Sequence, residues 1–95
     1  MITRIVRMTF LPEKADEFLE IFNHSKDKIR AFKGCKQLEL LNDIHQPNVF
    51  FTHSVWENEA YLEQYRQSEL FRNTWAKTKV LFQEKPQAWS LEKKS

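Results

Sequence analysis

Apolar and polar residues alternate from the start of the chain. Ile2, Val6, Met8 and Phe10 fall on one side and Thr3, Ile5, Arg7 and Thr9 on the other, with Arg4 the one charge on the apolar side. A period of two with β-branched residues predicts a strand. The spacing then changes. Ala15, Phe18, Phe22, Ser25, Ile29 and Phe32 step by three and four, and Leu19 widens the stripe. This predicts an amphipathic helix of about six turns. Pro12 suits its first turn, where a missing N–H loses nothing, and Glu13 and Asp16 meet the positive end of the helix dipole. Lys28, Arg30 and Lys33 crowd the other end, and Gly34, the only glycine, supplies a left-handed stop.

Alternation returns over Cys35–Asp43, with Leu38 and Leu40 opposite Gln37 and Glu39, and again over Val49–Trp56. The Asn, Asp and Pro residues between these runs make a turn, so the pair reads as an antiparallel hairpin. In the second run Val49, Phe51, His53 and Val55 share one face, and Phe50, Thr52, Ser54 and Trp56 share the other. Asn58 is placed to cap a short helix through Tyr61, Leu62 and Tyr65. Ser68 is placed to cap a second helix, with the stripe Phe71, Trp75, Thr78 and Phe82, after a break near Gln67–Ser68. Leu62, Phe71 and Phe82 are expected in the core. Pro86 ends this part, and Gln87–Leu91 closes as a fourth strand.

The order β-α-β-β-α-β predicts a ferredoxin-like α+β fold: a four-stranded antiparallel sheet with helices on one face, the second helix split in two. Residues 1–95 form one domain, with 1–91 as its core and 92–95 a polar tail. The opposite sheet face holds Ile5, Leu41 and either the Phe51 or the Phe50 set. That is too apolar for water, so the pattern predicts a homodimer with two sheets packed face to face. So short a chain buries a thin core, and dimerisation would support it.

Composition narrows the function. Hydrophobic residues at 41% and charged residues at 29% describe a globular protein and exclude the disordered class. The net charge is +2 with basic residues spread along the chain, so no nucleic-acid partner is expected. No apolar run is long enough to span a membrane, and the N-terminus does not read as a signal peptide. With a single cysteine, Cys35, this points to the cytoplasm. No metal-ligand spacing and no Gly-rich phosphate loop occur, so neither a metal nor a nucleotide site is expected.

Gly34-Cys35 before the second strand, Glu39 and Asp43 along it, Pro47 in the turn and Trp56 at the end of the third strand form a series that continues through Leu62, Tyr65, Ser68 and Phe71. Over nearly its whole length this chain resembles the antibiotic biosynthesis monooxygenase (ABM) domain, within the dimeric α+β barrel superfamily. The resemblance implies a homodimer. It also implies a pocket between the sheet and the helices of one subunit, roofed by the Tyr61–Trp75 segment. The implied activity is cofactor-independent oxidation of a small electron-rich aromatic, a quinol or polyphenol. Departures narrow this further. Many members hold His where this chain has Tyr65, often another at Leu70, and Glu at Ser54. The Asn, Trp and His of the haem-degrading branch match positions near Arg7, at Tyr65 and at Trp75, and none is kept. Haem degradation is therefore not expected, and no cofactor is.

Within that frame His53 is the candidate catalytic base, since imidazole takes protons near neutral pH. The competing reading is a structural His, bonded to a neighbour or covered in a dimer interface. Tyr65 and Trp75 are candidates to stack on a flat substrate or bond its oxygens, although helix core explains Trp75 better. Arg7 could hold a phenolate or carboxylate or be an exposed strand charge. Phe51, on the face of His53, completes the substrate-binding set. A non-catalytic dimer that binds a small aromatic or hydrophobic metabolite is the rival function, and a structural dimer with a filled core the third. A cavity under Tyr65, and the presence in it of a group that takes a proton, discriminate among them.

Overall fold

The computed structural model describes all 95 residues. Its elements are β1 (Ile2–Thr9), a 3-10 turn (Pro12–Lys14), α1 (Ala15–Arg30), β2 (Cys35–Asn42), β3 (Val49–Trp56), α2 (Glu59–Arg66), α3 (Glu69–Lys79) and β4 (Gln87–Leu91). The strands form one antiparallel sheet in the order β2-β3-β1-β4. This is the ferredoxin-like arrangement that the element order predicts.

Register decides which residues can meet. Across β1 and β3, Val6 is opposite Thr52, Met8 opposite Phe50 and Arg4 opposite Ser54. Across β1 and β4, Arg4 is opposite Ser90 and Val6 opposite Ala88. These residues share the inner face, because opposed residues in a sheet point the same way. Met8, Phe10, Leu38 and Phe50 meet Phe18, Phe22 and Ile29 of α1 there, and Leu81 completes the buried cluster. The Phe10 ring stacks on Phe18 at 4.2 Å and on Phe82 at 5.2 Å. Fully burying a side chain of this size contributes about 1.5–3 kcal/mol, so this cluster dominates the stability of a small domain.

Two helices stop sooner than their apolar stripes. α1 ends at Arg30, although Phe32 continues its spacing. Phe32 is packed edge-on against Trp56 and Tyr65, so its burial comes from neighbours rather than from a further helical turn. Gly34 then turns the chain into β2 at φ +89°, where the Tyr61 side chain occupies the space a Cβ would need. α3 ends at Lys79, short of Phe82. Leu81 is buried in the turn that follows, and Phe82 pairs with Phe10 in an isolated β-bridge, so both pack inward without a further helical turn.

The break between α2 and α3 is built by one side chain. Ser68 Oγ accepts the Phe71 N–H at 3.1 Å and donates to the Tyr65 carbonyl at 2.6 Å, closing one helix and opening the next. Asn58 Oδ1 caps α2 by accepting the Tyr61 N–H at 3.0 Å.

The outer sheet face has no helix on it. Ile5, Phe51 and Val55 are half-buried, while Leu41, Trp89 and Leu91 are exposed. No helix is long and apolar enough to cross a membrane.

Candidate functional site

A cavity of about 310 Å³ lies between the inner sheet face and the three helices. Val6, Met8 and Leu38 contribute to its floor from the sheet, Phe22 and Ile29 line it from α1, and Tyr65, Phe71 and Trp75 form its roof. The aromatic residues form a continuous wall. Trp56 stacks on Tyr65 with centroids 5.0 Å apart, Tyr65 meets Phe71 edge-on at 5.2 Å, and Phe71 stacks on Trp75 at 5.7 Å. Each ring is held by the next, so the wall is fixed before any ligand arrives.

Several polar groups of the lining are already engaged. Trp56 Nε1 donates to Ser54 Oγ at 3.0 Å. Ser25 donates to the Ile21 carbonyl and Thr78 to the Thr74 carbonyl, both at 2.8 Å. Burial, and secondarily the neighbouring Cys35, push the Tyr65 phenol well above its ordinary range. Tyr65 therefore stays protonated and can donate a hydrogen bond, not take a proton. The lining contains no carboxylate, imidazole or thiol.

Its charges are Arg4 and Arg66. Arg4 Nη1 donates to Ser90 Oγ at 2.9 Å. Burial first, then the nearby Arg66, hold the Arg4 guanidinium below its ordinary pKa, and Glu63 pulls it partly back. The cavity opens above β4, where the inward-facing Ala88 and Ser90 remain exposed because no helix lies over them.

Of the residues expected from sequence, Tyr65 and Trp75 line this cavity together. His53, Arg7 and Phe51 do not line it; of the two places open to His53, the helix-covered cavity and the outer face, the register gives the outer face. Trp56 points inward, so the period of two sends Thr52 and Ser54 inward with it and Phe51 and His53 to the outer face. There His53 Nδ1 and Glu39 Oε1 are 3.1 Å apart across β2 and β3. Arg7, opposite Phe51, has Nη1 4.0 Å from Glu84 Oε1. Phe71, expected in the core, is half-buried and faces the cavity, whereas Leu62 is buried. The site residue that sequence reasoning passed over is Arg4. Its signal was its parity with Val6 and Met8, a charge placed among residues that must face the helices.

A family model described as antibiotic biosynthesis monooxygenase matches residues 1–77. No curated protein matches the sequence significantly. Among solved structures, one described as an antibiotic biosynthesis monooxygenase superimposes with a TM-score of 0.94 at 19% identity, covering 100% of both chains. A conserved protein from Methanosarcina mazei Go1 gives 0.92 at 19%, covering 99% of this chain and 94% of the other. A protein from Pseudomonas aeruginosa gives 0.88 at 24%, covering 99% and 94%. At these identities the likeness concerns the fold.

Proposed function

Because the chain belongs to the antibiotic biosynthesis monooxygenase family, we propose that it oxidises a small, flat, electron-rich phenol or quinol with O₂ and without a cofactor. The observation that carries this reading is the cavity walled by Trp56, Tyr65, Phe71 and Trp75. Such a cavity holds an aromatic ring by stacking and keeps water from it.

The chemistry is supplied by the substrate. A phenol loses its proton, and the phenolate passes one electron to O₂, giving a phenoxyl radical and superoxide. These combine at a ring carbon para to the oxygen. Loss of the hydrogen on that carbon as a proton and cleavage of the O–O bond leave a quinone and water. One phenol and one O₂ thus become one quinone and one water, with all the reducing electrons drawn from the ring. The protein orients the ring and excludes solvent from the radical pair. Since the lining has no carboxylate, imidazole or thiol, the phenol gives its proton to bulk water before the ring is enclosed, so the phenolate is the species that binds productively and the rate should follow the substrate's own acidity.

That same lining favours a second reading, in which the chain binds an aromatic metabolite as a sensor or carrier without turning it over. Oxygen uptake by purified protein, screened over electron-rich phenols alongside direct binding, separates the two. Thr74→Trp, which fills the cavity from α3, should abolish both uptake and binding, while His53→Ala should leave uptake intact. Binding without uptake would leave only the sensor or carrier reading. Uptake that survives Thr74→Trp would remove the cavity from either.

The proposal includes a second copy of the chain on the outer sheet face. The support is the row of Ile5, Leu41, Phe51, Val55, Trp89 and Leu91 there, with Trp89 and Leu91 42% and 50% exposed. A partner sheet would cover the His53–Glu39 pair, which gives His53 an interface role.

A further inference from the structure

We infer that the ligand of this cavity carries a carboxylate, received by Arg4 with Arg66 beside it. The inference rests on the reading above, that the cavity takes an aromatic molecule, and adds the group at its open end.

Arg4 is unusually placed. It lies on the inner face of β1, in line with Val6 and Met8, where the other strand residues pack against helices. A long cation on such a face normally finds a carboxylate. None lies within ion-pairing distance of Arg4. Its one side-chain hydrogen bond goes to Ser90 Oγ, and most of its N–H donors stay free. The second guanidinium, Arg66, also lines the cavity, with a side chain 45% exposed, which places it at the rim. Glu63 answers Arg66 from the preceding turn of α2 at 3.3 Å. Two cations against one carboxylate leave one positive charge uncompensated, which matches a monoanion. The depressed pKa of Arg4, set by burial and then by Arg66, is consistent with a site that lacks its counter-charge.

The shape of the cavity gives the ligand an orientation. Aromatic rings wall the interior, and the cations sit where it opens above β4. A ring therefore enters first and a charged group stays at the mouth. The planar guanidinium fork matches the two oxygens of a carboxylate in a way a point charge does not. The substrate class is then an aromatic acid that also bears a phenol.

A matched pair of probes tests this: 1-hydroxy-2-naphthoic acid and its amide, which keeps the ring and phenol but loses the charge. Binding is read by quenching of tryptophan fluorescence and by calorimetry. On the wild-type protein the acid should bind at least about tenfold more tightly than the amide, as for a charge-assisted contact. That advantage should shrink as salt is raised. In Arg4→Gln the advantage should vanish, and in Arg66→Gln it should fall. Equal affinity for acid and amide on the wild-type protein, or a preference that survives in Arg4→Gln, overturns the inference and leaves the aromatic cavity standing. If neither compound binds, the cavity reading falls and the carboxylate site with it. The wild-type comparison and Arg66→Gln decide the matter even if Arg4→Gln does not fold.

Discussion

At the scale of single residues, the site separates side chains that hold the fold from those that shape the cavity. Phe10 is fully buried and stacked on two rings. Phe10→Ala should therefore lower stability by roughly 3–5 kcal/mol in denaturant titrations. Phe71 is half-buried and borders open space, so Phe71→Ala should remove only about 1–3 kcal/mol and act mainly on ligand affinity. Tyr65 has a pH signature. Its phenol ionises less readily when folded than when unfolded. Its contribution is complete below the ordinary tyrosine pKa near 10, and is lost as the pH rises above it, because only the unfolded chain then gives up the proton easily. Melting curves recorded on the alkaline side should show wild type losing stability faster than Tyr65→Phe; parallel losses would contradict the assignment. Thr9 carries a buried hydroxyl without a partner. Thr9→Val keeps the shape, removes that orphan, and should stabilise by about 1 kcal/mol. Tyr65 and Trp75 were legible as site candidates because each stands in an apolar series near a helix break. His53 attracted attention through its chemistry alone. Its parity, opposite to Trp56, already sent it away from the helices.

Among the elements, alternation located strands well. The limits of β3 and β4 coincide with the sequence reading, because a period of two has no meaning once the chain leaves the sheet. Helical spacing overran at α1 and α3, because Phe32 and Phe82 are half-buried by tertiary contacts that mimic another turn. Pocket and core also share one periodicity: Phe71 and Leu62 obey the same helical spacing, and only the three-dimensional gap beneath α3 tells them apart. The short elements depend on their end chemistry. Asn58→Ala should weaken the protein by about 1 kcal/mol, as loss of a helix cap does. Ser68→Ala should have a larger effect, since one hydroxyl serves both α2 and α3. Gly34→Ala should be the most damaging change outside the core, with roughly 1–3 kcal/mol from the backbone conformation alone and a clash with Tyr61 in addition.

For the whole molecule, the sheet serves two faces at once: the inner face supports the cavity, and the outer face carries the half-buried and exposed apolar row proposed above as the dimer surface. Trp89→Glu, on the outer face, should shift the sedimentation of the protein toward monomer while leaving the cavity able to take a ring. A wild-type chain that sediments as a monomer at micromolar concentration would argue against the face-to-face dimer. The fold was legible from sequence because one pattern, strand and helix in strict order, specifies it. The site was not fully legible, since a cavity is an absence of atoms and no residue pattern encodes it directly. β4 adds a kinetic consequence. It is five residues long, exposed throughout, and bonded only to β1, whereas β3 is held on both edges. Its amides should exchange with deuterium well before those of β3, through an opening that leaves the rest of the domain folded. Ser90 sits on this strand and holds Arg4, so each such opening releases the guanidinium from its only tether. An anion docked on Arg4 would slow the opening, and the protection it confers on β4 would report occupancy of the site from the far edge of the sheet.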